Sequence, residues 1–311
     1  PYLKAKAPHG GAELGGSVAP DGERLVVGAT GDGAGAAYVF ERQNGAWSRV
    51  KQLRPDADAG NAQKFGYAVA LSGETIAVGA SGESSQVADS GAVYVFNRGA
   101  GEWAKQVKLK AKGAGPLDWF GSSLALSGDW LASSATGEFT DRVTGTGVLH
   151  VFKRSGDTWQ ETQRLGPRDA SGCGFFGQVV ALSESTLATT CWTASSERPA
   201  GAVYLYERGA DGMYLPGSVL TSASAQSGDL FGRSLALSGD SLLIGAPGER
   251  SAGQGIGGRA PGTLEQSGAA YLFTHQGDAW HELVRIKAPV PAAQDGFGNS
   301  VALGGSELMF I

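Results

Sequence analysis

The order Gly-Asp-Ser-Leu at residues 239–242 is the nucleophile motif of a family of serine esterases, and it is the first place where this chain could do chemistry. A nucleophilic serine needs a base within hydrogen-bond reach and a turn that exposes its hydroxyl. The same position elsewhere reads Gly73-Glu74-Thr75-Ile76 and Gly128-Asp129-Trp130-Leu131, without the serine. Ser241 therefore reads as a hairpin residue entering a strand. The four histidines, His9, His150, His275 and His281, show no ligand spacing, and His150 stands where other copies of its segment carry tyrosine. That suits a packed strand histidine better than a base. No Ser/His/Asp order, phosphate loop or dinucleotide fingerprint is present, so catalysis is not expected.

Metal and redox chemistry have few candidates. Asp56 and Asp58, in the stretch Asp-Ala-Asp-Ala-Gly-Asn at 56–61, look like a fragment of a calcium loop, but acidic turns are usually just solvated. No cofactor is expected, and calcium only there. Cys173 and Cys191 fall in one repeat unit. Two readings stand level: a disulfide, allowed in an exported protein, or two buried small residues. The spacing itself imposes no geometry.

Composition narrows the function classes. With 311 residues, a net charge of −5 and no lysine or arginine cluster, binding to nucleic acid or an anionic membrane is disfavoured. No apolar run approaches the ~20 residues of a membrane helix, so direct insertion is not expected. The first ten residues lack the apolar core of a signal peptide. Fifty glycines with 41% hydrophobic residues describe a loop-rich, strand-built chain.

The elements that must position any site are written as a repeat. Phe-Gly or Leu-Gly recurs at Leu14, Phe65, Phe120, Phe176, Phe231 and Phe297, a period of 51–66 residues. Fourteen residues after the first five stands Gly28, Gly79, Ser134, Thr190 or Gly245. A block such as Gly91-Ala-Val-Tyr-Val-Phe96 follows, then an aromatic (Trp47, Trp103, Trp159, Tyr214, Trp280), then Leu53, Leu109, Leu165, Leu220 or Ile286. Each block is short, β-branched or aromatic-rich, and bounded by Gly, Ser and Asp, as strands are. Four strands at a period near fifty predict β-propeller blades, because one blade cannot cover both of its faces alone.

The motif Phe231-Gly-Arg-Ser-Leu-Ala-Leu-Ser-Gly-Asp-Ser-Leu-Leu-Ile-Gly-Ala-Pro247, followed by Ser267-Gly-Ala-Ala-Tyr-Leu-Phe273, resembles the FG-GAP repeat of integrin α-subunit propellers and of bacterial exported proteins. The resemblance spans the whole chain and implies an all-β, single-domain propeller over 1–311, with blades from about 14, 65, 120, 176 and 231. Residues 297–311 would be a partial blade and 1–8 the outer strand of a preceding one. Seven incompletely covered blades are favoured by the resemblance, and a six-bladed ring lacking one strand also fits. Integrin-type propellers carry calcium loops between their first and second strands. The two-to-four-residue turns here cannot supply six or more oxygen ligands.

In such a propeller the second-to-third-strand loops and the between-blade loops share one face. The loops before the Gly-Ala-Val-Tyr block run 5, 10, 11, 9 and 21 residues, the longest spanning 247–267. Variable loops on a rigid scaffold usually carry function. The resemblance thus implies a non-catalytic binding or adhesion module, secreted or at the cell surface, engaging a protein or glycan. A lectin propeller or the appendage of a secreted hydrolase are the alternatives. Asp118, Trp119, Trp192, Glu249 and Arg250 are the expected contact residues, with Glu83, Glu138 and Asp141 as an acidic rim. The recurring tryptophans are expected to be packing, since they repeat with the blades.

Overall fold

The computed structural model describes residues 11–56, 63–138, 147–167, 173–192, 201–222, 226–258, 260, 262–304 and 308–310. Among them every regular element is a strand. The chain divides into two compact units, Pro1–Gly166 and Pro167–Ile311.

The first unit holds three four-stranded antiparallel sheets. Blade 1 is β1 (Leu14–Asp21), β2 (Arg24–Ala29), β3 (Ala36–Gln43) and β4 (Ala46–Leu53). Blade 2 is β5 (Phe65–Ser72), β6 (Thr75–Ala80), β7 (Ala92–Gly99) and β8 (Glu102–Leu109). Blade 3 is β9 (Phe120–Ser127), β10 (Trp130–Ala135), β11 (Val148–Ser155) and β12 (Thr158–Leu165).

The second unit holds blade 4, with β13 (Phe175–Leu182), β14 (Thr186–Trp192), β15 (Ala202–Arg208) and β16 (Tyr214–Leu220). Blade 5 has β17 (Ser234–Ser238), β18 (Ser241–Ala246), β19 (Ala269–Gln276) and β20 (Ala279–Ile286). A two-stranded piece, β21 (Ala302–Gly304) with β22 (Leu308–Phe310), follows. Every four-stranded sheet runs in simple up-and-down order. The fold is a β-propeller of four-stranded blades.

The repeat residues do the packing. Phe65, Phe120 and Phe231 are buried and meet the third strand of their own blade edge-on, at 5.2 Å from Tyr94, 5.3 Å from His150 and 5.4 Å from Tyr271. Such ring pairs add roughly 0.5–1.5 kcal/mol beyond area burial. Neighbouring blades cover one another: Val69, Ile76 and Val78 of blade 2 share a core with Val26, Val39 and Leu53 of blade 1. Trp103 and Trp280 are buried, Trp47 and Trp159 half-buried, and the Trp159 indole donates to Gln106 Oε1 of blade 2 at 3.1 Å. Trp130 is core, under the Lys153 ammonium at 5.1 Å.

The fourteen-residue interval marks where two blades touch backbone to backbone. A Cβ on Gly79 of β6 would overlap the carbonyl of Gly121 at the start of β9. Blade 4 has Thr190 at that place, and its methyl stands 3.0 Å from where a Cβ of Gly232 would be. β17 begins at Ser234 and not at Phe231 as the repeat predicts, and the backbone N–H groups of Gly232 and Arg233 both donate to Gly245 O, at 2.9 and 3.1 Å. Ser241 opens β18 opposite Ser238, a hairpin residue as expected. Cys173 and Cys191 form a disulfide, with Cα atoms 5.5 Å apart. Closing a loop of this 18-residue separation contributes about 3 kcal/mol in the chain-entropy account.

Candidate functional site

The loops joining second to third strands begin with an acid that faces inward. Glu83 follows β6, Glu138 follows β10 and Glu249 follows β18, each three residues past the strand-ending alanine. All three are buried, Glu83 completely. Its Oε1 accepts from Lys108 Nζ at 2.6 Å, and its Oε2 is bonded to Lys110 Nζ. Glu249 pairs with Lys287 through Oε2 and with Arg285 Nη1 through Oε1 at 3.2 Å. Glu138 is held by Arg164 and by His150 Nε2 at 2.6 Å. Blade 1 uses Asp32, which meets Arg54 Nη2 at 3.0 Å.

These groups close the loops at their base. The backbone N–H of Gly91 donates to Glu83 O at 3.0 Å, Gly147 to Glu138 O at 3.2 Å, and Gly268 to Glu249 O at 2.8 Å. The cation then ties down the other end. Lys110 Nζ donates to Gly91 O at 2.9 Å and to Ser90 Oγ at 3.1 Å, and Lys287 Nζ to Ser267 Oγ at 2.9 Å. In blades 1, 2, 3 and 5, loops of very different length thus leave from one kind of acid–base clamp.

Burial alone would raise the Glu83 carboxyl, but the Lys108 and Lys110 ammoniums overcome it and hold it down to about 2. Glu249 is likewise lowered, its burial outweighed chiefly by the bond from Lys287. The expected acidic rim is therefore corrected at Glu83 and Glu138, and Glu249, expected as a contact residue, shares their fate: all three are buried ion-paired struts, not exposed charge. Asp141, the third member of the rim, lies outside the described residues. Sequence reasoning missed the cations, yet a signal was present. The landmark Leu or Ile on the outer strand of the clamped blades is flanked by them, as Leu53-Arg54, Lys108-Leu109-Lys110, Arg164-Leu165 and Arg285-Ile286-Lys287. In blade 4 the flanks are Val219 and Thr221, and the acid position is Ala194. The blade that lacks both acid and base is the one with the disulfide.

Blade 3 adds a titratable group to its clamp. His150 is fully buried, with Nε2 on Glu138 and Nδ1 on Glu161 Oε1 at 2.8 Å. A carboxylate on each ring nitrogen favours the imidazolium, the form in which both nitrogens donate. Burial works against that charge, but the Glu138 and Glu161 bonds outweigh it and raise His150 above its ordinary 6.5. Asp118 and Arg164 complete the charged surroundings. A raised histidine stabilises fully below pH 6.5, and that contribution is lost as pH rises through the folded-state value. Melting temperature should fall along that alkaline limb, and His150→Gln should flatten the fall. An imidazole NMR titration centred below 6.5 would contradict this reading.

Trp119 is in step with the repeat in its backbone and departs from it only in its side chain. It sits at φ 54°, and Glu13, Lys64 and Leu230 hold the same place before Leu14, Phe65 and Phe231 at 53°, 50° and 58°. Leu117, Trp119 and Phe120 donate backbone N–H groups to Ala88, Asp89 and Ser90 at 3.0–3.1 Å, which straps them to the blade 2 loop. Trp119 remains 39% exposed and Leu117 51%. Asp118, expected to present charge beside Trp119, is instead buried and closes a turn, accepting from Gly115 N at 2.5 Å. Its carboxyl is raised by burial and by Glu138, against the lowering bond from Gly115. Trp192 ends β14 half-buried, with the Arg233 guanidinium 5.5 Å over its ring. Arg250 is half-exposed, donating to Ser227 O at 3.1 Å.

Asp56 is paired with Lys105, and Asp58 lies outside the described residues. Among the described residues, no three His, Cys, Asp or Glu side chains are grouped to hold a metal ion. The 247–267 loop, the longest before a third strand, is pinned among its described residues: Gly257 N donates to Arg285 O at 2.8 Å, Lys287 N to Gly255 O at 3.0 Å, and Leu264 N to Arg250 O at 2.7 Å.

No curated protein matches the chain in sequence. A crystal structure named "putative 6-phosphogluconolactonase" from Bacteroides uniformis shares 12% identity at a TM-score of 0.53, covering 88% of this chain and 72% of that one. At that identity the likeness shows the fold alone. A similarly named structure from Bacteroides fragilis, at 11% identity, has a TM-score of 0.45 with 89% and 85% covered, too low to bear on the argument. The model of the FG-GAP repeat matches residues 3–40, 47–96, 103–152 and 218–273, more than half of the chain. The unmatched stretch contains most of blade 4, where Thr190 and Cys191 replace the Gly-Ala pair. With the repeated Phe-Gly strands and clamped loops, that match is decisive: the chain belongs to the FG-GAP repeat family.

Proposed function

We propose that this propeller is a non-catalytic binding module, exported from the cell, that engages a protein or glycan through its second-to-third-strand and between-blade loops. The observation that carries the reading is the exposed pair Leu117 and Trp119 on backbone strapped to the neighbouring loop. A large aromatic on fixed backbone loses little entropy on binding, which is what interface anchors need. The acids of the same loops are spent on internal clamps, which leaves them unsuited to acid–base chemistry. The Cys173–Cys191 bridge is compatible with an oxidising compartment. Among the described residues no helix is long and apolar enough to cross a membrane.

The test is retention of extracellular proteins and glycans on the immobilised chain. Trp119→Ala should lose the retained species while its melting temperature stays within about two degrees, since the side chain is largely outside the core. Normal retention by Trp119→Ala, with loss on substituting the short-turn residues Glu74 and Asp240, would place the working surface on the opposite face.

A further inference from the structure

The long loop of blade 5 encloses a pocket of about 170 Å³ lined by Gln226, Asp229, Glu249, Arg250, Ser251, Gly262, Thr263 and Arg285. Most of its polar atoms are used. Asp229 Oδ2 accepts from Gln226 N at 2.8 Å, Arg285 Nη2 donates to Gly258 O at 3.0 Å, and Glu249 is held by Arg285 and Lys287. Ser251 Oγ is not, and neither are Asp229 Oδ1, an acceptor, and Arg250 Nε, a donor, which form an oppositely charged pair; all three atoms are buried without a hydrogen-bond partner. Asp229 as a whole is only 3% exposed. A buried polar atom without a partner costs roughly 1–3 kcal/mol, so this pair asks for an occupant.

The chemistry of that pair selects the occupant. An anion would meet the open Asp229 oxygen, and a cation would meet Arg250 and Arg285. A calcium ion needs six or more oxygens, and one free carboxylate oxygen does not provide them. A neutral group that both donates and accepts satisfies both atoms, and the side chains of Ser251, Thr263 and Gln226 continue a lining suited to hydroxyls. At ~30 Å³ per water, the volume corresponds to about six waters, or to one sugar ring displacing them.

We infer that this pocket is a monosaccharide subsite, in which a sugar hydroxyl donates to Asp229 Oδ1 and the adjacent ring hydroxyl oxygen accepts from Arg250 Nε. The inference rests on the reading of the chain as a binding module and names one class of ligand for it. The equivalent aspartates make the same turn: Asp118 accepts from Gly115 N and Asp295 from Ala292 N, at 2.5 and 2.6 Å. Only the long loop adds the wall of Gly262 and Thr263, so the subsite belongs to blade 5 rather than repeating around the propeller.

Saturation-transfer NMR and calorimetry on the full chain, with the methyl glycosides of glucose, galactose, mannose, fucose and N-acetylglucosamine, test it. At least one should bind with a millimolar Kd, about −4 kcal/mol. Asp229→Asn keeps an oxygen for Gln226 N and should weaken binding at least about tenfold with an unchanged melting temperature. Arg250→Gln, on a half-exposed side chain, gives a second variant that does not depend on the Asp229 turn. Absence of binding by every glycoside, equal binding by both variants, or preferential binding of free amino acids would overturn the subsite. If glycosides fail while Trp119→Ala still abolishes partner retention, the subsite falls and the binding-module reading stands.

Discussion

Lys287→Met should destabilise the chain by about 3 kcal/mol, the lower end of what stranding a buried charge costs, because Arg285 remains beside Glu249. The lysine side chain has no exposed surface and the carboxylate it pairs with has almost none. Met keeps the length and apolar stem of lysine, so packing changes little. The ammonium's bonds to Glu249 and Ser267 disappear, and the base of the longest loop loses its tie. Replacing both partners, as in Glu249→Leu with Lys287→Met, should recover at least half of the loss, since no uncompensated carboxylate is left inside. Urea unfolding of the two single variants and the double variant checks this. A single variant within about 0.5 kcal/mol of the parent would show that the pair is not a structural clamp.

A comparable loss is expected for Gly91→Ala. Gly91 adopts φ 81°, forms a parallel bridge with Phe120, and carries the N–H that closes the blade 2 loop on Glu83. A Cβ there would overlap the backbone oxygen and nitrogen of Phe120. Left-handed backbone costs an alanine roughly 1–2 kcal/mol. Overpacking against an atom that cannot swing aside adds roughly 1–3 kcal/mol. Gly99 is the control, because a Cβ there meets nothing within 4 Å and its φ is ordinary. Gly99→Ala should be neutral or slightly stabilising, by about 0.5 kcal/mol through the unfolded chain. If both substitutions behave alike, the close approach of Gly91 to blade 3 is not what makes the residue a glycine.

Much of the fold was legible because its determinants are local and repeated. Phe65, Gly79 and Tyr94 recur at matching positions as Phe231, Gly245 and Tyr271, and each recurrence names a strand whose neighbours must be like itself. The hairpin role of Ser241 followed from the same alignment. The candidate site was less legible. Glu83 and Lys110 are 27 residues apart, and Glu249 and Lys287 are 38, separated by loops whose lengths differ from blade to blade. The acids were visible and their partners were visible, but nothing along the chain joined them except their joint absence from blade 4. That Trp119 shares a left-handed backbone position with Glu13 and Lys64 was not legible either, because such a position leaves no trace in side-chain type.

By itself the sequence determined the blades: short β-branched and aromatic blocks bounded by Gly, Ser and Asp set each strand, and the glycine interval marks where two backbones meet. Tertiary structure decided the sign and exposure of the loop face. A glutamate beside a loop reads as exposed charge until an outer strand lays Lys108 and Lys110 against it. The same packing turned Asp118 inward and left Asp229 Oδ1 buried without a partner at the wall of a pocket. The reason is physical. Strand formation depends on neighbours a few residues away, whereas desolvation of a charge depends on every group that surrounds it in space.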